Sequence, residues 1–174
     1  MPILLYAMSR GTTAAAEYIK HWEGYVDHPV WDYHQYTIGY GTRYQPGMPV
    51  PMTKAFAAQL LAQVLRDKYM PETKLALARR GLDWNALTQA QRTAVLSFAY
   101  NLGAGAISSA SWPERIKHGD MAGAKASWLA HSNAGGRPLE GLVKRRHSEW
   151  ELYTTGRVLY DPPGWRAYYE RKRQ

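Results

Sequence analysis

Apolar positions recur at helical spacing through the part of the chain that follows Thr53. One stripe repeats every three to four residues, at Phe56, Leu60, Leu61 and Val64. This spacing predicts an amphipathic helix, with the Thr53 side chain capping its first turn. The helix is expected to break at Pro71, because proline supplies no backbone amide for the helical ladder.

Capping residues predict further helices downstream. A short helix is expected over residues 73–80, stopped by Gly81. A capping-box pattern at residues 88–91 and a single cap at Asp120 open two more, and residues 141–153 carry apolar positions among lysines and arginines. Their expected core residues are Val95, Phe98 and Ala99 after the capping box, Ala124, Trp128 and Leu129 after Asp120, and Leu142, Trp150 and Tyr153 in the last stretch.

The first fifty residues follow a different pattern. Thr12 and Thr13 are predicted to cap a helix that ends at Gly24. Residues 36–40 alternate like a strand, and three prolines make residues 45–51 a loop. The predicted fold class is therefore α+β, with a small α/β lobe that holds a short β-hairpin sheet and is joined to a larger helical lobe.

Length and composition fit a globular protein, and we expect one domain over residues 1–174. Of the 174 residues, 45% are hydrophobic and 21% are charged. No apolar stretch approaches the roughly 20 residues of a membrane-spanning helix, and residues 1–8 lack the basic start of a signal peptide, so neither signal nor anchor is expected. The absence of cysteine excludes disulfides, thiolate metal sites and cysteine nucleophiles.

The chain is strongly basic. It has 22 Lys and Arg against 14 Asp and Glu, a net charge of +8, which favours a polyanionic partner such as nucleic acid, an anionic cell-wall polymer or a membrane surface. Nucleic acid is not expected, because no nucleic-acid-binding motif is present. Residues 157–174 combine aromatic and basic side chains that could engage anionic outer-membrane or inner-membrane lipids, although a short helix docked on the bundle is the favoured interpretation.

Three side chains suggest acid–base chemistry. Glu23 lies in the last turn before Gly24, where the helix carbonyls favour a protonated carboxyl group, and Trp22 and Tyr25 would shield it. Such an acid suits general acid catalysis. Asp32 and Thr37 supply a carboxylate and a hydroxyl that can hold a water molecule between them. Two carboxyl groups across a cleft are the working parts of glycoside hydrolysis, although most helix-terminal glutamates are merely solvated.

Other residues of this stretch have ordinary interpretations. Gly39 and Gly41 would let a ligand approach a strand closely, but a hairpin bend or bulge is favoured by the pattern alone. His21, His28 and His34 lack a matching acidic or second histidine set, so no zinc site is expected.

Several motifs together resemble the phage-type lysozymes of glycoside hydrolase family 24. They occur in that family's order and cover residues 13–156. The matching blocks are Glu23-Gly24, Asp32, Thr37-Ile38-Gly39-Tyr40-Gly41-Thr42, Leu87-Thr88-Gln89-Ala90-Gln91, Ser97-Phe98-Ala99-Tyr100-Asn101-Leu102-Gly103, Asn133-Ala134-Gly135-Gly136, and Gly141-Leu142-Val143-Lys144-Arg145-Arg146 with Glu149.

The resemblance implies a lysozyme-like fold with an active-site cleft between the lobes, and an endolysin that hydrolyses the β-1,4 bond between N-acetylmuramic acid and N-acetylglucosamine in peptidoglycan. It assigns Glu23 as the acid, and Asp32 and Thr37 as the residues that position the attacking water, with inversion at the anomeric carbon. No metal or organic cofactor is implied, and a monomer is expected. Substrate-binding roles are implied for Tyr40, Gly41, Tyr100, Asn101 and Asn133.

Some assignments have alternatives. Tyr100 could equally be a core residue, and Arg145 and Arg146 are expected to pair with Glu149 rather than reach the cleft. Family members usually reach the threonine six residues after the aspartate and carry a glycine between them. Here the step is five residues without glycine, which keeps Asp27 as a rival second carboxylate.

Two other functions remain open at this point. A lytic transglycosylase cleaves the same bond without water and would not need a water-holding Asp32 and Thr37. A wall-binding module would bind saccharide without turnover. For an endolysin, the expected location is the host cytoplasm, until a holin-type protein permeabilises the membrane.

Overall fold

The computed structural model describes the backbone of residues 2–174 and the side chains from Thr12 onward, and it divides into two compact units at Met70 and Pro71. The first unit contains α1 (Pro2–Glu23), β1 (Val26–Trp31), β2 (Tyr36–Gly39), β3 (Thr42–Arg43) and α2 (Lys54–Val64), followed by a π-helical turn (Leu65–Tyr69). The second contains α3 (Met70–Arg79, which begins at the boundary), a 3₁₀ turn (Trp84–Ala86), α4 (Gln89–Leu102), α5 (Gly105–Ser109), α6 (Trp112–Lys117), α7 (Met121–Ala130), β4 (Asn133–Ala134), β5 (Arg137–Pro138), α8 (Glu140–Thr155) and α9 (Trp165–Lys172).

Helix α1 begins at Pro2, well before the start predicted after Thr12 and Thr13. The prediction that Thr12 and Thr13 cap it is wrong, since both lie inside a helix whose first residue is a proline, a residue well suited to the first helical position. Its predicted end is confirmed. Gly24 has a φ of +67°, and its amide donates to the Lys20 carbonyl at 3.2 Å.

The three strands form an antiparallel sheet in the order β1-β2-β3. Trp31 pairs with Tyr36, and Ile38 pairs with Thr42. The strand predicted at residues 36–40 is thus confirmed, as is the loop at residues 45–51. Ile38 packs with Met52 and Ala57 in a small buried core that holds the sheet against α2.

Thr53 caps α2 as predicted, since its side chain accepts a hydrogen bond from the Phe56 amide at 3.2 Å. The predicted break at Pro71 is wrong, because the chain stays helical from Lys54 to Arg79. The π-helical turn explains this: the Met70 amide bonds the carbonyl of Leu65, five residues back. The wider turn gives the Pro71 ring room that a regular α-helix would deny it.

In the second unit, the predicted capping box is present. The Thr88 side chain accepts from the Gln91 amide, and the Gln91 side chain accepts from the Thr88 amide. Asp120 caps α7 in the same manner through the Gly123 amide. The predicted core residues of α4 and α7 are buried, and Phe98 lies with Trp112 and Trp128 in an aromatic cluster.

The C-terminal helix α9 packs on α8, as the favoured interpretation predicted. Trp165 is only 5% exposed, and Tyr168 contacts the His147 ring at 5.1 Å between centroids. None of the helices within residues 2–174 is long and apolar enough to cross a membrane.

Candidate active site

Glu23 is the last residue of α1, and its half-buried carboxyl group lies against the turn between β2 and β3. A Cβ atom placed on Gly41 of this turn would be 2.8 Å from Glu23 Oε2. Gly41 also has a φ of +74°, a conformation that residues with a side chain rarely adopt. The backbone conformation therefore favours glycine here, and a side chain at this position would displace the Glu23 carboxyl group.

Gly39 lies at the start of the same bend, where a Cβ would be 3.0 Å from both Ala57 Cβ and Met52 Sδ. Its φ of +67° again suits glycine. The bend interpretation of Gly39 and Gly41 thus agrees with the structure, and at Gly41 the bend also contacts the candidate acid.

One tyrosine, Tyr40, belongs to this turn and a second, Tyr25, lies against it. The rings of Tyr25 and Tyr40 are 5.5 Å apart, and the Lys20 ammonium group lies 5.5 Å from the Tyr40 ring centre. The Tyr25 hydroxyl donates to the Met52 carbonyl, so this ring belongs to the core under the sheet. Tyr40 is half-buried at the edge of that core, in the same unit as Glu23.

Asp32 begins the turn that joins β1 to β2, and its side chain is exposed. Asp32 Oδ1 accepts hydrogen bonds from the amides of Gln35, at 2.9 Å, and His34, at 3.1 Å. These amides, Gln35 first, hold the pKa of the Asp32 carboxyl group below its ordinary value. The turn therefore presents an ionised carboxylate whose position the backbone fixes.

The shortened turn is closed by an unusual backbone conformation. Tyr33 has a φ of +74° and is the one non-glycine residue with positive φ among those the structure describes. A tyrosine thus holds the left-handed region in this turn, which contains no glycine. That conformation costs a residue with a Cβ about 1–2 kcal/mol.

Thr37 follows on β2 and pairs with Val30 of β1. Its hydroxyl lies 3.5 Å from the Val30 carbonyl, to which it donates a long hydrogen bond. Because side chains alternate along a strand, Thr37 lies on the sheet face opposite to Tyr36 and Ile38. The candidate water-positioning pair, Asp32 and Thr37, thus comes from the two ends of one turn.

The rival carboxylate, Asp27, pairs with the neighbouring His28. Its side chain lies 2.9 Å from His28 Nδ1, and this bond lowers the pKa of the Asp27 carboxyl group. The Asp27 carbonyl also accepts from the Met52 amide. Asp27 therefore sits in an exposed local pair on β1 rather than in the turn that holds Asp32.

The remaining candidates lie in the second unit. Tyr100 is 9% exposed on α4, which agrees with its interpretation as a core residue. Asn101 Oδ1 accepts from Arg146 Nη2 at 2.8 Å, and Asn133 is exposed on β4. None of these contacts identifies a sugar site by itself, so the substrate-binding assignments stay predictions.

Arg145 and Arg146 form the expected structural ion pair with Glu149. The Glu149 carboxylate is fully buried, and its Oε1 accepts from Arg145 Nε at 3.2 Å and lies 3.1 Å from Arg146 Nη2. Ser97 Oγ, at 2.6 Å, and Trp128 Nε1, at 3.2 Å, complete the network. Sequence reasoning missed these two partners, although a serine among the apolar residues of α4 was a usable signal.

The described side chains form no arrangement that could bind a metal ion. Within residues 12–174, no group of three or more His, Asp or Glu side chains is arranged to hold a metal ion.

Comparison with known proteins gives consistent results. A family model described as "Phage lysozyme" matches residues 20–149. The endolysin of Bacillus phage B103 is 33% identical over 121 residues and that of Bacillus phage PZA 35% identical over 124, each match covering 70% of this chain. The matches cover 44% and 45% of those proteins, so the chain spans about half the length of these relatives.

A solved structure supports the same fold. The muramidase domain of SpmX from Asticaccaulis excentricus superimposes with a TM-score of 0.65 at 26% sequence identity. The match covers 82% of this chain and 95% of that domain. The predicted α+β, lysozyme-like fold is thus confirmed.

Proposed function

The chain belongs to the phage lysozyme family, and from this premise we propose that it is an endolysin with muramidase activity. The proposed reaction is hydrolysis of the β-1,4 bond between N-acetylmuramic acid and N-acetylglucosamine in peptidoglycan. One observation carries the proposal: the Glu23 carboxyl group lies against the Gly41 turn, in the unit that also holds Asp32 and Thr37. The end of α1 and the adjoining small sheet thereby supply the two halves of a glycosidase site.

Glu23 is the proposed general acid. Its proton passes to the glycosidic oxygen as the bond from that oxygen to the anomeric carbon breaks. Half-burial at the end of α1 and contact with the Gly41 turn limit the positions that the carboxyl group can adopt. A positioned acid of this kind typically contributes about 10²–10⁴-fold to the rate.

Asp32 and Thr37 are proposed to hold the attacking water. The water oxygen bonds to the anomeric carbon, and its proton passes to the ionised Asp32 carboxylate, while the Thr37 hydroxyl orients it. Attack on the face opposite to the leaving group gives inversion, for which roughly 6.5–9.5 Å between the two carboxyl groups is expected. The low pKa of Asp32 supports a base that is ionised at neutral pH.

Substrate-binding roles are proposed for Tyr40, Gly41, Tyr100, Asn101 and Asn133, as the family resemblance implies. Tyr40 has the best support, because its half-buried ring lies beside the turn that contacts Glu23. No cofactor is invoked, and the chain is proposed to act as a monomer.

The positive charge is proposed to draw the protein to anionic wall polymers. The basic side chains of α9 could also contact anionic outer-membrane or inner-membrane lipids, although burial of Trp165 favours a helix that stays docked on α8. As an endolysin, the protein would stay in the host cytoplasm until a holin-type protein lets it reach peptidoglycan.

Digestion of purified peptidoglycan tests the proposed activity. The products are identified by mass spectrometry before and after borohydride reduction. Reducible fragments that end in N-acetylmuramic acid are expected. Anhydro products would identify a lytic transglycosylase, and absence of cleavage by a demonstrably folded protein would identify a wall-binding module.

A further inference from the structure

Three aromatic side chains stand out in solvent at the turn between β1 and β2. Trp31 is 55% exposed, Tyr33 is 89% exposed and Tyr36 is 54% exposed. We call these three residues the aromatic tip. Large exposed aromatic groups clustered within six residues are uncommon on a protein surface and often mark a binding surface.

Two of the three rings of the tip pack against each other. Trp31 and Tyr36 are direct cross-strand partners, and their rings meet edge to face with centroids 5.2 Å apart. The turn beneath them is closed by the Asp32 amide, which donates to the Gln35 carbonyl at 3.0 Å, and by the two bonds to Asp32 Oδ1. The Trp31–Tyr36 ring pair is therefore arranged by the folded hairpin itself.

The tip is adjacent to the proposed water site but does not line it. Trp31 directly precedes Asp32, and Tyr36 directly precedes Thr37. Because side chains alternate along β2, Tyr36 lies on the sheet face opposite to Thr37. A ligand on the ring pair would therefore contact the hairpin outside the position of the bond that is cleaved.

Tyr33 adds a second, independent observation. It holds a left-handed conformation that glycine or asparagine would adopt with less strain, yet its ring is almost wholly in solvent. Because the ring is not buried, packing of the Tyr33 side chain does not offset the strain of its backbone. Backbone strain that folding does not explain tends to occur where a residue is kept for function.

We propose that the aromatic tip is an accessory glycan-contact surface, on which sugar rings of peptidoglycan outside the cleaved pair stack. This inference rests on the proposed function. Pyranose rings present apolar C–H faces that suit exposed indole and phenol rings, and the tyrosine hydroxyls of the tip offer partners for sugar hydroxyl groups. The Asp32 carboxylate in the same turn disfavours an anionic lipid surface as the occupant.

Binding to insoluble peptidoglycan tests the proposal. All proteins carry Glu23→Gln, so that the polymer stays intact, and co-sedimentation gives the apparent Kd. Adding Trp31→Ala is expected to raise the Kd roughly tenfold, as for the loss of a central aromatic contact. The matched control is Phe56→Ala, which removes a 41%-exposed aromatic ring from α2 in the same unit and is expected to leave the Kd unchanged.

A second variant separates binding from folding. Tyr33→Asn removes the ring and relieves the strained backbone, so it is expected to raise Tm by roughly 2–4 °C while weakening binding. A loss of binding accompanied by higher stability cannot come from misfolding. If both Trp31→Ala and Tyr33→Asn bind peptidoglycan as tightly as the Phe56→Ala control, the proposal is wrong.

Two further measurements distinguish this proposal from the proposed function. With Glu23 restored, Trp31→Ala is expected to keep the kcat on a short soluble muropeptide while KM rises on insoluble peptidoglycan. If the protein without tip substitutions neither binds nor cleaves peptidoglycan, the proposed function itself fails. If tip variants lose binding only to vesicles of anionic phospholipid, the tip is a membrane contact and the glycan assignment is overturned.

Discussion

Gly41 has a left-handed backbone that favours glycine, and the Glu23 carboxyl group lies 2.8 Å from where a Cβ would be placed, so a side chain here would displace the candidate acid. The sequence alone indicated a hairpin bend here, because glycines punctuate strands. It could not indicate which side chain the bend faces, since that depends on how α1 packs beside the sheet. The same limit applies to Tyr33, whose left-handed conformation no side-chain preference would predict.

Replacing Glu23 with Gln is expected to reduce turnover of peptidoglycan at least about 100-fold, because the amide keeps the shape but has no acidic proton to donate. Far-ultraviolet circular dichroism and Tm should stay close to those of the unmodified protein. The matched control is Glu17→Gln, on the same helix, where the exposed Glu17 pairs with Lys20 at 2.6 Å. Equal activity of the two variants would show that Glu23 is not the acid.

Substitution with asparagine distinguishes Asp32 from Asp27 as the second catalytic carboxylate. Asp32→Asn keeps an oxygen that can accept from the His34 and Gln35 amides, so the turn should persist while activity falls at least about 100-fold. Asp27→Asn removes only an exposed pair with His28 and should change activity little. Initial rates on peptidoglycan at pH 6–7 measure both. A larger loss for Asp27→Asn would mean that Asp27 is the second carboxylate.

At the scale of secondary-structure elements, the sequence predicts helix caps correctly, because a cap depends only on neighbouring residues. The caps at Thr53, Thr88 and Asp120 lie where the sequence indicates, because each is set by residues within four positions. Two predictions were wrong for opposite reasons: the start of α1 was placed too late, and a helix break was expected at Pro71. The apolar run before Thr12 carries no start signal of its own yet is helical, and Pro71 predicts a break that a π-helical turn accommodates.

The buried Glu149 network links α8 to α4 through Ser97. Glu149→Gln would leave the guanidinium groups of Arg145 and Arg146 buried without their counter-charge. The free energy of unfolding is expected to fall by about 3–5 kcal/mol, as for other buried pairs that lose one partner. Chemical denaturation followed by tryptophan fluorescence measures it.

The control for this substitution is Glu151→Gln on the same helix. Glu151 pairs with the exposed Arg157 at 2.7 Å, and the loss of that pair should cost less than about 1 kcal/mol. If the two variants were equally stable, the buried network would not be what joins α4 to α8.

For the whole molecule, the net charge of +8 is the property that bears most on its partner. Screening shortens the range of electrostatic attraction from about 10 Å at 0.1 M salt to about 3 Å at 1 M. Co-sedimentation of the Glu23→Gln protein with cell walls that carry anionic polymer is expected to weaken steeply over this range. Binding to an uncharged glycan polymer is the comparison and should change little. Equal salt dependence for both polymers would contradict the proposed attraction to anionic wall.

The most direct test of the account is the stereochemistry of the product. If Glu23 donates the proton while Asp32 and Thr37 direct a water to the opposite face, each β-linkage yields an α-anomer first. Proton NMR of a soluble oligosaccharide substrate, recorded within the first minutes of reaction before mutarotation, observes this directly. A signal from the α-anomer that precedes the β-anomer is the predicted result. A β-anomer that forms first would mean retention, and Asp32 would not have the water-positioning role assigned to it.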